Sequence, residues 1–299
     1  MLTILTHDIL PVFAMLALGF VLGRFRYVVD GEAKTLNRVA FLILQPALIF
    51  PLIAAIDLSS IRVEALALYV LCEVVAFAAA YALARYVFRR EHLEAWLLAM
   101  AVVFVNSLLY IWPISYLIYG EEAALPITAI VAWDASASFA FFIISMELMA
   151  GDKATGGAAR RVATNPVLIA ITAGLVLNAV QVPIPEPILT AAGFAGAGAA
   201  PLTLFALGVI LSGQPLTPTR TVVGITAMKL VAFPALVFGV LYVAGISGTW
   251  RDLFVLNAAG PSGAMSFALA LLYGVRTDSI APVIIWTSIL SLLSLAALA

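Results

Sequence analysis

The sequence predicts an all-α polytopic membrane protein: ten transmembrane helices arranged as two inverted five-helix repeats, with helices 4 and 9 broken at prolines. Three observations predict it. The 299 residues are 64% hydrophobic and 10% charged, with a mean hydropathy of +1.14, well beyond the composition of a soluble domain. Ten apolar segments each approach the roughly 20 helical residues that a bilayer core about 30 Å thick requires. The one Gly-rich, basic stretch, GDKATGGAARR, falls midway along the chain with five segments on either side. Because five is odd, two similar halves must enter the membrane with opposite orientation.

In order, the first repeat (1–150) holds spans at 8–27, 35–56, 63–88, 93–119 and 125–150. The first carries the GxxxG of GFVLG, Gly19 to Gly23, which lets helix backbones approach closely. The second has Gln45 before Pro46, the third Glu73, the fourth Asn106 and Ser107 ahead of Pro113, and the fifth Asp134 and Glu147. A cytoplasmic linker, 151–162, leads into the second repeat (163–299), with spans at 165–181, 187–211, 221–244, 252–274 and 279–298. The seventh span contains the small-residue run GFAGAGAAP and Thr203, the eighth Lys229, and the ninth Asn257 followed by Gly260, Pro261, Ser262 and Gly263. The N-terminal MLTILTHDIL has no basic n-region or A-x-A site and reads as the lead-in to the first span.

Charge placement sets the expected orientation. Arg24, Arg26, Lys34, Arg38, Arg85, Arg89, Arg90, Lys153, Arg160, Arg161, Arg220 and Arg276 fall in alternate loops, against Arg62 and Arg251 in the others. The positive-inside rule makes the first set cytoplasmic and both termini extracytoplasmic, in what reads as a bacterial inner membrane. A net charge of -1 gives no basic surface for nucleic acid. One cysteine, Cys72, and two histidines, His7 and His92, near the membrane surfaces point to no metal centre, and no cofactor is expected.

Prolines mark where the helices should break. Pro113 and Pro261 occupy equivalent spans of the two halves; each lacks an amide hydrogen and clashes with the preceding turn, and the glycines beside Pro261 permit an unwound backbone. Freed backbone groups cannot face lipid, so they must be buried or line a watery cavity, where a restarted helix offers amides and a positive dipole end to an anion. The polar residues Gln45, Asn106, Ser107, Thr203 and Asn257 lie beside these prolines or beside Pro46 and Pro201; each alone also reads as an interhelical hydrogen-bond partner. Asp134 and Lys229 are the most costly intramembrane residues, at least about 2.5 kcal/mol each at mid-membrane. They read either as a structural ion pair or as groups coupling an ion to substrate binding.

Several segments together, FLILQPALIF, NPVLIAITAGLVLNAVQVPIP, APLTLFALGVIL, KLVAFPAL and SILSLLSLAAL, resemble the auxin efflux carrier (PIN-like) family over nearly the whole chain. The compact length, without a long cytoplasmic loop, is closer to bacterial malonate-carrier-like members. The resemblance implies inverted five-helix repeats, scaffold and transport regions, an elevator-type movement, and a weak organic anion as substrate. It also implies that Asn106, Ser107, Pro113 and Gly260 to Gly263 cradle the anion. Two departures stand out: Leu108 and Ile111 at glycine-like positions, which narrow the expected pocket, and Met265 where many members have asparagine.

The first reading is therefore a carrier or facilitator of a small organic anion, an auxin-like weak acid or a dicarboxylate such as malonate, with a proton or sodium ion as candidate coupling ion. Its other partners are the bilayer and, compatibly, a second copy in a homodimer. The second is a cation/proton antiporter using Asp134 as the exchanging carboxylate. An intramembrane enzyme is disfavoured, with no H-E-x-x-H, no mid-membrane histidine and no mid-span aspartate to partner Asp134. A receptor that binds an anion without moving it is the remaining class.

Overall fold

The computed structural model describes residues 2–151 and 157–298; Lys153 and the rest of 152–156 in the linker lie outside the described residues. Apolar runs with few backbone alternatives in lipid form helices, and among the described residues there is no strand, only an isolated antiparallel bridge between Val105 and Ser262. The helices are α1 (Leu5–Arg24), α2 (Asp30–Ala54), α3 (Val63–Val87), α4 (His92–Val103), α5 (107–119), α6 (124–149), α7 (Ala158–Ala163), α8 (Pro166–Ala179), α9 (Glu186–Ser212), α10 (Arg220–Val243), α11 (Thr249–Ala258), α12 (Met265–Leu272) and α13 (Ile280–Leu298). The short α7 begins inside the stretch expected to be a linker, 151–162, and ends one residue beyond it.

Among the described residues seven helical runs are long and apolar enough to cross a membrane, counting 107–149 as one. That run is turned between α5 and α6 at Gly120, whose φ of +61° is open to glycine. The 14-residue α8 rises only about 21 Å. The stretch expected as the fourth span is divided between α4 and α5, and that expected as the ninth between α11 and α12, of 10 and 8 residues.

The interruption in the fourth span is not at Pro113. It lies at Phe104–Asn106, and the helix runs through Pro113, which occupies the first turn of the segment Trp112–Tyr119. A π-helical turn, Ser107–Ile111, ends just ahead of that proline. The same spacing recurs at Leu5–Ile9 before Pro11, Ala40–Leu44 before Pro46 and Met228–Ala232 before Pro234. A widened turn makes room for the pyrrolidine ring and accommodates the missing amide bond, so these helices bend and continue rather than end.

The helices pack in two groups. In one, α1 lies along the second half of α9, and α2 lies along α8 and the first half of α9. Glycine allows the closest approach: a Cβ on Gly208 would sit 2.1 Å from the Leu16 carbonyl oxygen, and one on Gly19 would sit 2.0 Å from that of Phe205. Asn178 Nδ2 donates to the Ala54 and Ile56 carbonyls at 2.8 and 2.6 Å, tying the ends of α8 and α2. In the other group α3 packs on α4 and α10, α10 on α11, and α13 on α4 and α10.

Candidate functional site

The two interruptions cross. The Asn106 amide donates to the Pro261 carbonyl at 3.1 Å and the Gly263 amide donates to the Phe104 carbonyl at 2.8 Å, closing a two-residue antiparallel contact around Val105 and Ser262. The Ser262 amide donates to Thr287 Oγ1 at 3.1 Å, and its hydroxyl donates to the Ala101 carbonyl at 2.6 Å. Groups freed from one helix are thus satisfied largely by the other, as backbone buried at membrane depth requires. The glycines permit the contact: a Cβ on Gly263 would lie 2.9 Å from Phe104 Cδ1, and one on Gly260 would lie 2.4 Å from Ile111 Cδ1.

Beside this crossing is a cavity of 130 Å³, walled by Phe41, Phe104, Leu108, Phe139 and Met265 and carrying the polar groups of Gln45, Asn106, Ser107, Asp134 and Asn165. Gln45 and Phe41 come from α2, and Asn165 and Val167 from the start of α8, while the rest come from the crossing, α5, α6 and α12, so the cavity lies between α2 and α8 on one side and those elements on the other. The first turn of α5 faces it. Amides at a helix start have no intrahelical acceptor, and the helix dipole puts partial positive charge there. Among the described residues no lysine or arginine lines the cavity, and Asp134 is the one ionisable residue that does.

Ser107 Oγ donates to Asp134 Oδ2 at 2.7 Å, which holds the carboxyl group against that helix start. Asp134 itself opens a π-helical turn, Asp134–Ser138, and Lys229 lies in another, Met228–Ala232. Lys229 is fully buried; its ammonium donates to the Ala258 carbonyl at 2.7 Å, at the last residue of α11, and lies 5.0 Å from the centre of the Phe233 ring. Asp134 and Glu73 act on it electrostatically, but its hydrogen bond goes to the helix end, where a cation suits the dipole.

The remaining expected residues are placed differently. Pro113 lines a separate apolar cavity of 280 Å³ with Pro11, Trp112 and Pro201, and Leu108 stands between the two cavities. Asn257 is fully buried and donates from Nδ2 to the Tyr69 hydroxyl at 2.8 Å. Gln45 donates to Thr203 Oγ1 at 3.3 Å. Gly260, Pro261, Ser262 and Gly263 build the crossing and do not line the cavity. Glu147 pairs with Arg161 at 3.4 Å and accepts from the Tyr273 hydroxyl at 2.6 Å.

Asn165 lies outside the candidates that the sequence offers, and Glu73 stands there only as a polar residue of the third span. Asn165 caps α8, its Oδ1 accepting the Val167 and Leu168 amides at 2.9 and 3.2 Å, and the Asn-Pro dipeptide at a span start signals such a cap. Glu73 Oε2 accepts from Trp133 Nε1 at 2.7 Å, next in sequence to Asp134, a proximity that only the packing of α3 on α6 creates.

The model of the family described as Membrane transport protein matches residues 4–152 and 153–299. A Rhizobium meliloti protein named "Putative malonate transporter" is 29% identical over 299 residues, 96% of this chain and 92% of that protein. An "Uncharacterized transporter" of Methanothermobacter thermautotrophicus is 27% identical over 303 residues, 97% and 96% of the two chains. The chain belongs to the membrane transport protein family, the auxin efflux carriers, and is an integral membrane protein.

Proposed function

We propose that this family member is a secondary transporter or facilitator of a small organic anion, working by elevator-type alternating access around its crossed, broken helices. The observation that carries the reading is the crossing of Phe104–Asn106 with Pro261–Gly263 beside a polar cavity that lies between two helix groups. A helix start and neutral amides, from Asn106, Gln45 and Asn165, are the means of holding an anion in a cavity that no described lysine or arginine lines. The interface position means that one group can slide on the other and carry the cavity's contents with it. Within this reading the chain forms ten spans in two inverted repeats, 1–150 and 163–299, with both termini outside.

The relative's printed name makes malonate the first substrate to try. Malonate counterflow into proteoliposomes tests the reading, with Gly263→Leu as the control that blocks the crossing. Counterflow in the wild type that is lost in this variant is the expected result. Counterflow at the wild-type rate in Gly263→Leu would remove the crossing from the mechanism.

A second reading, a cation/proton antiporter, is favoured by one observation: among the described residues the only ionisable group lining the cavity is a carboxyl, Asp134. Proton release driven by sodium or lithium, with no response to mono- or dicarboxylates, would select it.

A further inference from the structure

The anion reading contains a conflict. The helix start that would receive the substrate already faces Asp134, and a second carboxyl, Glu73, lies within hydrogen-bonding reach behind it. Glu73 and Asp134 are nearly inaccessible, at 6% and 3% exposure. Each uses one oxygen to accept a bond, Glu73 from Trp133 and Asp134 from Ser107. Among the described residues Glu73 Oε1 and Asp134 Oδ1 accept from no donor. Two ionised carboxylates would repel each other and could not satisfy those oxygens, because neither donates; a single proton between them does both.

The surrounding charge gives the same count. The titratable groups acting on the two carboxyls from the helices around them are Lys229 from α10 and Tyr69 and Cys72 from α3. Tyr69 and Cys72 are neutral in their ordinary forms, which leaves two carboxyls and one ammonium. That trio is neutral only when the carboxyls together hold one proton, and net charge at this depth is expensive.

We propose that Glu73 and Asp134 form a one-proton site with Lys229 as its counter-charge, and that an anion enters the cavity only when that proton is in place. This rests on the anion reading and deepens it by making the carrier proton-linked. With the site empty the trio carries one negative charge beside the cavity. Taking one proton from water, through the face that Asp134 presents to the cavity, makes the trio neutral, and no covalent bond other than the carboxyl O–H is made. Glu73 is a positioning residue that never meets the substrate.

Two measurements on the purified, reconstituted full chain test this. Infrared spectroscopy without any ligand should show a protonated carboxyl band at neutral pH that Glu73→Gln and Asp134→Asn each abolish, since either variant leaves one carboxylate neutralised by Lys229. Each single variant should melt near the wild type. The double variant Glu73→Gln/Asp134→Asn should melt well below it, with Lys229→Met added on top restoring the melting temperature. Malonate affinity should fall tenfold per pH unit on the alkaline side in the wild type, the slope of one linked proton, and be flat in Asp134→Asn.

Absence of the band in the wild type overturns the site, as does a band that survives both single variants. Sodium raising the melting temperature at constant ionic strength while the band stays absent overturns it in favour of a metal-ion site. A wild-type malonate affinity that does not change with pH overturns the linkage. The band and the melting pattern with no binding of malonate or other small diacids supports the one-proton site and counts against the anion reading alone.

Discussion

Asn106 contributes to the molecule through two separate parts. Its backbone amide holds the crossing through the Pro261 carbonyl, while its side chain faces the cavity. Asn106→Ala keeps the first and removes the second, so the melting temperature should stay close to that of the wild type while the apparent affinity for malonate in counterflow falls about tenfold, the worth of roughly one hydrogen bond. Unchanged affinity would mean that the side chain does not meet the substrate. Ser107→Ala differs, because its hydroxyl serves Asp134 and not the solute. Losing a bond to a charged group costs about 1.5–3 kcal/mol, so this variant should lower thermal stability if Asp134 is ionised, measurable as a fall in melting temperature. Asn106, Ser107, Gln45 and Asp134 were legible in the sequence because polar groups inside apolar spans are costly and therefore few. Glu73 was harder to read: its partners, Trp133 and Asp134, are far along the chain, and no local pattern announces them.

At the scale of the helix, a proline has two outcomes that look alike in sequence. Pro261 sits among residues that cannot easily continue a helix, between Gly260 and Gly263, and the chain there is extended. Pro113 has none of these neighbours, and the π-helical turn Ser107–Ile111 accommodates it. The break in the fourth span instead falls at Phe104–Asn106, apolar and polar residues without a helix breaker, held open by the bonds to Pro261 and Gly263. Tertiary partners made that break, so it could not be read locally, whereas the existence of a polar interruption near Asn106 could. Pro113→Ala should therefore restore an ordinary helical turn and leave counterflow within about twofold of the wild type. Abolished counterflow would show that the widened turn itself serves the mechanism. Gly208→Leu should act through packing alone: a side chain there meets the Leu16 backbone, and overpacking of this kind costs about 1–3 kcal/mol, read as a lower melting temperature.

For the whole molecule, composition made the class plain, and the packing of α1, α2, α8 and α9 chiefly on one another, with fewer contacts to α5, α6 and α13, is what sets the cavity between α2 and α8 on one side and the crossing, α6 and α12 on the other. The sequence could supply the close-packing residues, Gly19, Gly23 and the run from Gly193, but not which helix each would meet. Gly19 meets α9, and Gly196 meets α2, where a Cβ would lie 2.8 Å from the Leu48 Cα. How this body sits in the membrane rests on charge: Arg160 and Arg161 in the central linker region against Glu121 and Glu122 at the turn between α5 and α6. If the positive-inside rule governs the chain, the two regions lie on opposite faces. In a Cys72→Ala background, which removes the single thiol, Arg160→Cys and Glu121→Cys give exposed reporters on helix α7 and on the turn. An impermeant maleimide added to intact cells should label position 121 and leave position 160 unlabelled until the membrane is opened. The reverse pattern would invert the molecule and put the termini inside. Labelling of both from outside would mean that the helices between the two positions do not carry the chain across the membrane an odd number of times, and the ten-span, inverted-repeat arrangement would fall with it.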